Sequence, residues 1–174
     1  VSRNPARFDE VKLKWLNGVY VRALATDELV ALVGDYLDAN GHAGSRDDPR
    51  FARAVAISQE KIHTLADFWE LSGPLLAGPV DEGKARERWL GQEGRAMLRD
   101  VRAALSRAAS FDESGVEQTL EEFVSSRSVK PREVYQPLRV ALTGTTVSPG
   151  IFECVALLGR EETLRRIDAA LSRD

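Results

Sequence analysis

The sequence is poor in the side chains that most metal and redox sites are built from. It holds one cysteine, two histidines and one methionine in 174 residues. Cys154 alone cannot build an internal disulfide framework, so a reducing, cytoplasmic compartment is expected. His42 and His63 are too few for a protein-only zinc site, and no metal is expected. Long apolar runs are missing too. None approaches the roughly 20 residues that span a bilayer, and Val1–Arg7 lacks the apolar core of a signal peptide. No membrane partner is therefore expected. The first residue is not Met, so the chain is expected to be cut from something longer. An excess of positive charge is absent as well: the net charge is −3, and acids outnumber bases on both sides of residue 80. That balance argues against a non-specific nucleic-acid coat and against DNA as a partner, but it leaves room for a local basic face.

Catalytic signatures are also missing. There is no G-x-S-x-G, no H-E-x-x-H and no dinucleotide fingerprint. Gly78–Ala85 comes close to a phosphate-binding loop, but Ala85 stands where a magnesium-holding hydroxyl is needed and no strand precedes it. A helical metal site needs carboxylates and histidines on facing helices. Glu60-x-x-His63 is a single pair with no second to face it. Catalysis by this chain alone is not expected.

What the chain has is helical periodicity. Phe8–Leu16 opens as a short helix that Asn17–Gly18 is expected to stop. Thr26 is expected to cap a second helix with Leu29, Val33, Tyr36 and Leu37 inward. Asp48–Pro49 should open a third, burying Phe51, Val55, Ser58 and Ile62 and turning Arg53, Gln59 and Lys61 outward. Thr64–Asp67 reads as a cap for a short helix with Phe68 and Trp69. Leu71–Val80, with two Gly and two Pro, is the expected domain boundary. From Asp81 to Ala109 a long amphipathic pattern is bent or split near Gly91 and Gly94. Ser114–Glu117 has the form of a capping box. Lys130–Pro131 starts the next helix, Gly159 stops a later one, and Leu164, Ile167 and Leu171 are spaced for burial in the last. No segment alternates like a strand. The expected fold class is all-α.

One stretch stands apart. Val134–Phe152 contains no acidic residue, and Arg127, Lys130, Arg132 and Arg139 cluster in and before it. Tyr135 and Phe152 add aromatic faces, and Ser148–Pro149–Gly150 is expected to leave free amides at a helix N-terminus, where the dipole favours phosphate. Arginines beside aromatic rings suit unstacked single-stranded bases. The plainer alternative is that Arg139 and Phe152 pack a helix pair. Cys154, on an apolar helix face, is expected to be a buried thiol.

These residues also carry a family resemblance. Phe8-Asp9-x-x-Lys12-Leu13-x-Trp15-Leu16-Asn17-Gly18-x-Tyr20-x-Arg22 is similar to the segment that follows the nucleotide-binding signature loop in bacterial glutamyl-tRNA synthetases. Gln136–Gly144, Ser148–Glu153 and Leu157–Ile167 resemble that family's C-terminal signature, and Gln59-Glu60-Lys61-x-x-Thr64-Leu65 looks familiar between them. The resemblance implies the C-terminal part of a class I aminoacyl-tRNA synthetase. Residues 1–26 would end the stem-contact region, and residues 27–80 and 81–174 would form two helical anticodon-binding subdomains. The implied partners are tRNA(Glu), with tRNA(Gln) a second candidate, and the upstream catalytic domain of the same polypeptide. The family's active-site motifs do not occur here, so no cofactor is expected in this fragment. ATP and magnesium would serve the full-length parent as it joins glutamate to tRNA.

Position by position, the resemblance implies that Arg139 contacts the anticodon and that Ser148, Pro149, Ile151 and Phe152 form the loop and helix start that meet its bases. Gln136 falls where some members place an aromatic ring, a role Tyr135 could take. Gln59 and Lys61 lie near the sensor of the last anticodon base, with lysine where arginine is usual. Arg127, Lys130 and Arg132 are the expected phosphate contacts. The alternative function is a free-standing helical module that binds a protein or tRNA without ligase activity.

Overall fold

The structure, a computed structural model, describes residues 9–173. Phe8 and the rest of residues 1–8, part of the expected stem-contact region, lie outside the described residues. All the regular structure described is helical: α1 (Glu10–Ala23), α2 (Thr26–Ala39), a 3-10 turn (Ser45–Asp47), α3 (Phe51–Ser58), α4 (Leu65–Ala77), α5 (Gly83–Trp89), α6 (Gln92–Ser106), α7 (Glu113–Arg127), α8 (Pro131–Thr143) and α9 (Ile151–Ser172). The fold is all-α.

Helical spacing of apolar residues sorts these elements into two cores. Leu29, Val33 and Leu37 of α2 meet Phe51, Ala54 and Val55 of α3 and Phe68 of α4, with Ile62 between, and the Phe51 and Phe68 rings sit edge to face at 5.8 Å. The second core gathers Leu98, Val101 and Leu105 of α6, Leu120 of α7, Leu138 and Leu142 of α8 and Ile167 of α9. Each fully buried side chain of this kind stabilises the fold by about 1.5–3 kcal/mol. Ile57 and Leu75 come from the first half of the chain but pack in the second core, so the cores are continuous through α3 and α4.

Several helix ends differ from expectation, each for a local reason. Asn17–Gly18 does not stop α1. Buried Gly18 lets the helix lie against the His63 ring, where a Cβ would collide, and the Asn17 side chain donates to the His63 carbonyl. Thr26 is the first residue of α2 rather than its cap, and its hydroxyl turns to Gln59 Oε1 at 3.4 Å. The third helix starts at Phe51, because the Asp48 carboxylate takes the Arg50 amide and guanidinium instead of capping at Pro49. The cap of α7 is Asp112, accepting from the Gly115 amide at 2.8 Å, so Ser114–Glu117 lies inside the helix. The Thr64–Asp67 capping box forms as expected, but α4 continues through Gly73–Pro74 to Ala77. Gly91 separates α5 from α6, and Gly159, at φ 72°, breaks α9 where a stop was expected.

Arginines close the exposed C-terminal carbonyls of these helices. Arg166, only 3% exposed, donates to Pro74 O at 2.7 Å, Leu75 O at 3.1 Å and Leu142 O at 2.8 Å, so one guanidinium serves the ends of both α4 and α8. Arg50 adds bonds to Leu75 O and Leu76 O. Arg160 does the same for Leu105 O and Ser106 O at the end of α6. A cation there satisfies orphan acceptors and opposes the negative end of the helix dipole. Burial pushes the Arg166 guanidinium down, and Glu162, 2.6 Å from its Nε, works against that shift.

The Glu162 carboxyl is held down at about 2 by its hydrogen bonds to Arg165 and then Arg166. Its folded value lies below the ordinary 4.5, so its contribution to stability is present above that value and is lost as pH falls towards 2. Urea unfolding should therefore show the wild type more stable than Glu162→Gln at about pH 6, with the gap closing below the ordinary carboxylate range and largely gone by about pH 2. A gap independent of pH would remove this role for Glu162.

Candidate anticodon interface

The candidate site is built on α8 and the turn that follows it. Pro131 suits the first position of α8, and Val134, Leu138, Ala141 and Leu142 bury one face in the second core. The remaining stripe carries Arg132, Tyr135, Gln136 and Arg139, which share a side at i, i+3, i+4 and i+7. The helix ends at Gly144 in the left-handed conformation, φ 81°. A side chain there would also strike the Val80 carbonyl, because the Pro79–Glu82 linker crosses at this point and the Val80 amide donates to Thr143 O at 3.0 Å. Hydrogen bonds among Thr143, Thr145 and Val147 then turn the chain towards α9.

Arg139 reaches across this turn. Its Nη1 donates to Pro149 O at 2.8 Å and to the Ser148 hydroxyl, and its buried Nε has no partner. Among the described residues no carboxylate pairs with it, and burial pushes its guanidinium below the ordinary range. The Ser148 hydroxyl donates in turn to Pro149 O and sits 3.5 Å from Cys154 Sγ. Cys154 is buried as expected, and its thiol is pushed up by that burial. Lys61, from the first core's side, donates to Ser148 O at 3.3 Å. Beside them the Tyr135 and Phe152 rings meet edge to face at 5.4 Å. Burial, and then Glu121 and Glu117, push the Tyr135 phenol up, so it remains a donor.

Thus Arg139, Ser148, Pro149 and Lys61 come together, with Tyr135 and Phe152 adjacent. Ser148, Pro149 and Ile151 are buried and shape the turn from within, whereas Phe152 is only partly buried. Gln136 lies on the same stripe, with its Oε1 buried and unpartnered. Gln59 is turned away: its amide donates to Val21 O at 3.1 Å and Leu24 O at 2.9 Å and ties down the α1–α2 turn. Arg127 is paired with Asp100 at 2.8 Å, Lys130 is the N-cap of α8, and Arg132 lies over the Trp89 ring. The expected free amides at the start of α9 are corrected in part. Glu153 reaches back to the Gly150 amide at 2.8 Å, placing a carboxylate where an anion was expected.

Sequence reasoning missed Val147, 65% exposed at the tip of the turn. It also missed an open cleft of about 340 Å³ beside Lys61 that includes Lys14, His63, Thr145, Thr146 and Val147. An apolar residue in a Gly/Thr/Ser turn was the available signal for Val147. The cleft had none, because it depends on contacts between distant segments.

Residues 28–171 match the anticodon binding domain family. Among curated relatives, the glutamate–tRNA ligase of Mycobacterium bovis is 37% identical over 98% of this chain and 35% of its own length, and that of Mycobacterium marinum is 38% identical with the same coverage. The chain therefore spans about a third of the length of these relatives. The crystal structure of a glutamate–tRNA ligase from Elizabethkingia meningosepticum superposes with a TM-score of 0.79 at 21% identity, covering 98% of this chain and 34% of that one. That likeness bears on the fold. The chain belongs to the anticodon binding domain family and corresponds to the C-terminal anticodon-binding region of glutamate–tRNA ligases.

Proposed function

We propose that this chain receives the anticodon of tRNA(Glu), with tRNA(Gln) a second candidate partner, as part of a ligase that joins glutamate to tRNA. The observation that carries the reading is Arg139. It is a largely buried guanidinium that pairs with no carboxylate among the described residues, fixed on the turn where Lys61 joins the two cores. Burying a charge without an opposite partner is costly, and the developing contact with polar base edges or phosphate offsets that cost. Phe152 and Tyr135 supply stacking faces, Ser148, Pro149 and Ile151 hold the turn, and Gln136 and Lys61 flank it. The subdomain division at residues 80 and 81 belongs to this reading, with the bases entering between the two cores. Family membership favours it over a protein-interaction module.

ATP and magnesium would serve the remainder of the ligase. The residues here do not fit them: in Gly78–Ala85 the side chain of Ala85 is buried and offers no hydroxyl, and no strand leads into the segment. No step of the ligase reaction is assigned to this chain.

The upstream ligase domain is the second proposed partner, and α1 supports it. That helix buries only Gly18 and Val21, leaving Val11 81%, Trp15 60% and Tyr20 64% exposed. Large apolar surfaces left open in this way mark contact sites.

Two measurements test the reading. Stacking contributes roughly 1–3 kcal/mol per base, so Phe152→Ala should weaken binding of a tRNA(Glu) anticodon stem-loop by about tenfold. Arg139→Ala should also weaken it, and unchanged affinity in both variants would sink the site assignment. The upstream ligase domain, added as a separate polypeptide, should bind the chain and shift the emission of Trp15, and Trp15→Ser with Val11→Ser should abolish that binding. Binding that survives the double change would place the contact elsewhere.

A further inference from the structure

Most arginines of the second core are engaged with helix-end carbonyls or carboxylates. Arg86 and Arg95 donate to Ala170 O and Leu171 O, Arg102 pairs with Asp168, and Arg127 pairs with Asp100. Two are not. Arg88 and Arg132 form no ion pair among the described residues, and both guanidiniums lie over the ring of Trp89, at 5.4 Å and 5.1 Å from its centroid. Trp89 is the last residue of α5, half-buried against the second core, while both arginines are exposed. Two like charges are thus gathered on one fixed indole, beside a groove of about 520 Å³ that Pro137 of α8 also lines. Glu93 and Glu133 line the same groove without pairing with either arginine, and Glu133 is turned to the Lys130 amide at 3.3 Å.

We propose that Arg88, Trp89 and Arg132 form a second RNA contact, binding the sugar–phosphate backbone of nucleotides that flank the anticodon. The proposal rests on the reading that this chain binds tRNA. Arg132 and Arg139 lie on one stripe of α8, seven residues and about 10 Å apart, so a single stem-loop can meet both. The indole face attracts both guanidiniums and limits their freedom before binding. Each planar fork can then donate two parallel hydrogen bonds to a phosphate, which a lysine cannot reproduce. Trp89 acts as a positioning residue, since it touches the arginines rather than the chemistry of recognition. Base identity is left to the Arg139 end, so this contact should strengthen binding to every anticodon alike.

The test is a titration of the chain with a tRNA(Glu) anticodon stem-loop and with the unpaired loop alone, from about 50 to about 200 mM salt. Arg88→Gln with Arg132→Gln should weaken stem-loop binding by about tenfold or more. It should also make the slope of log affinity against log salt shallower by roughly 2, the loss of two phosphate contacts. Arg88→Lys with Arg132→Lys should recover the salt slope but not the full affinity. Anticodon-swapped stem-loops should lose the same factor. Unchanged affinity and slope in the glutamine variant, while Arg139→Ala still weakens binding, would overturn this contact and leave the anticodon reading standing. A loss that depends on anticodon sequence would overturn it too, by making these residues base readers. Absence of stem-loop binding by the wild type would overturn the functional reading and this contact with it.

Discussion

The contact on which the architecture depends is a guanidinium at the end of a helix. Arg166 sits inside the molecule and donates to the last carbonyls of α4, which runs from the first core into the second, and of α8. Without it, the Leu142 carbonyl would lose its donor, a desolvation cost of about 1–3 kcal/mol, and the Pro74 and Leu75 carbonyls would be left to the Gly78 amide and to Arg50. Arg50 reaches the same end of α4 from the first core, and Glu162 balances the charge of Arg166. The register of the two cores is therefore set by directional bonds as well as by apolar contact, and the Pro79–Glu82 linker is pinned against the end of α8 instead of swinging free. That register lets Lys61 reach the carbonyl of Ser148.

The same chemistry decides which arginines of an acidic chain are left open to an anion. Arginines engaged as helix caps or in ion pairs are unavailable to an anion, so total charge says little about the surface. Arg127, which looked like a phosphate contact in the sequence, is paired with Asp100. Among the described residues Arg139 pairs with no carboxylate and donates to neutral oxygens, and Arg88 and Arg132 form no ion pair and lie over an aromatic ring.

Helix content, both cores and the neighbourhood of Arg139 were legible from spacing alone, because Leu29–Val33–Leu37 and Leu98–Val101–Leu105 repeat at the helical period. The family signature added roles that periodicity could not. Tertiary contacts decided the rest. Asn17–Gly18 has the composition of a stop, yet glycine is needed there for close approach to His63. Gln59 looked outward by helical phase but is turned into the α1–α2 junction, and Glu153 fills the cap that local sequence left open. In each case the deciding partner is either dozens of residues away or just beyond the stretch that was read as a unit.

In the proposed function, one RNA element meets both cores at the junction they share. Amide chemical-shift mapping during titration with a tRNA(Glu) anticodon stem-loop tests it most directly. One saturable footprint is expected, including Lys61 from the first core together with Val147 and Phe152 from the second. A footprint confined to one core, or centred on the outer face of α7, would contradict it.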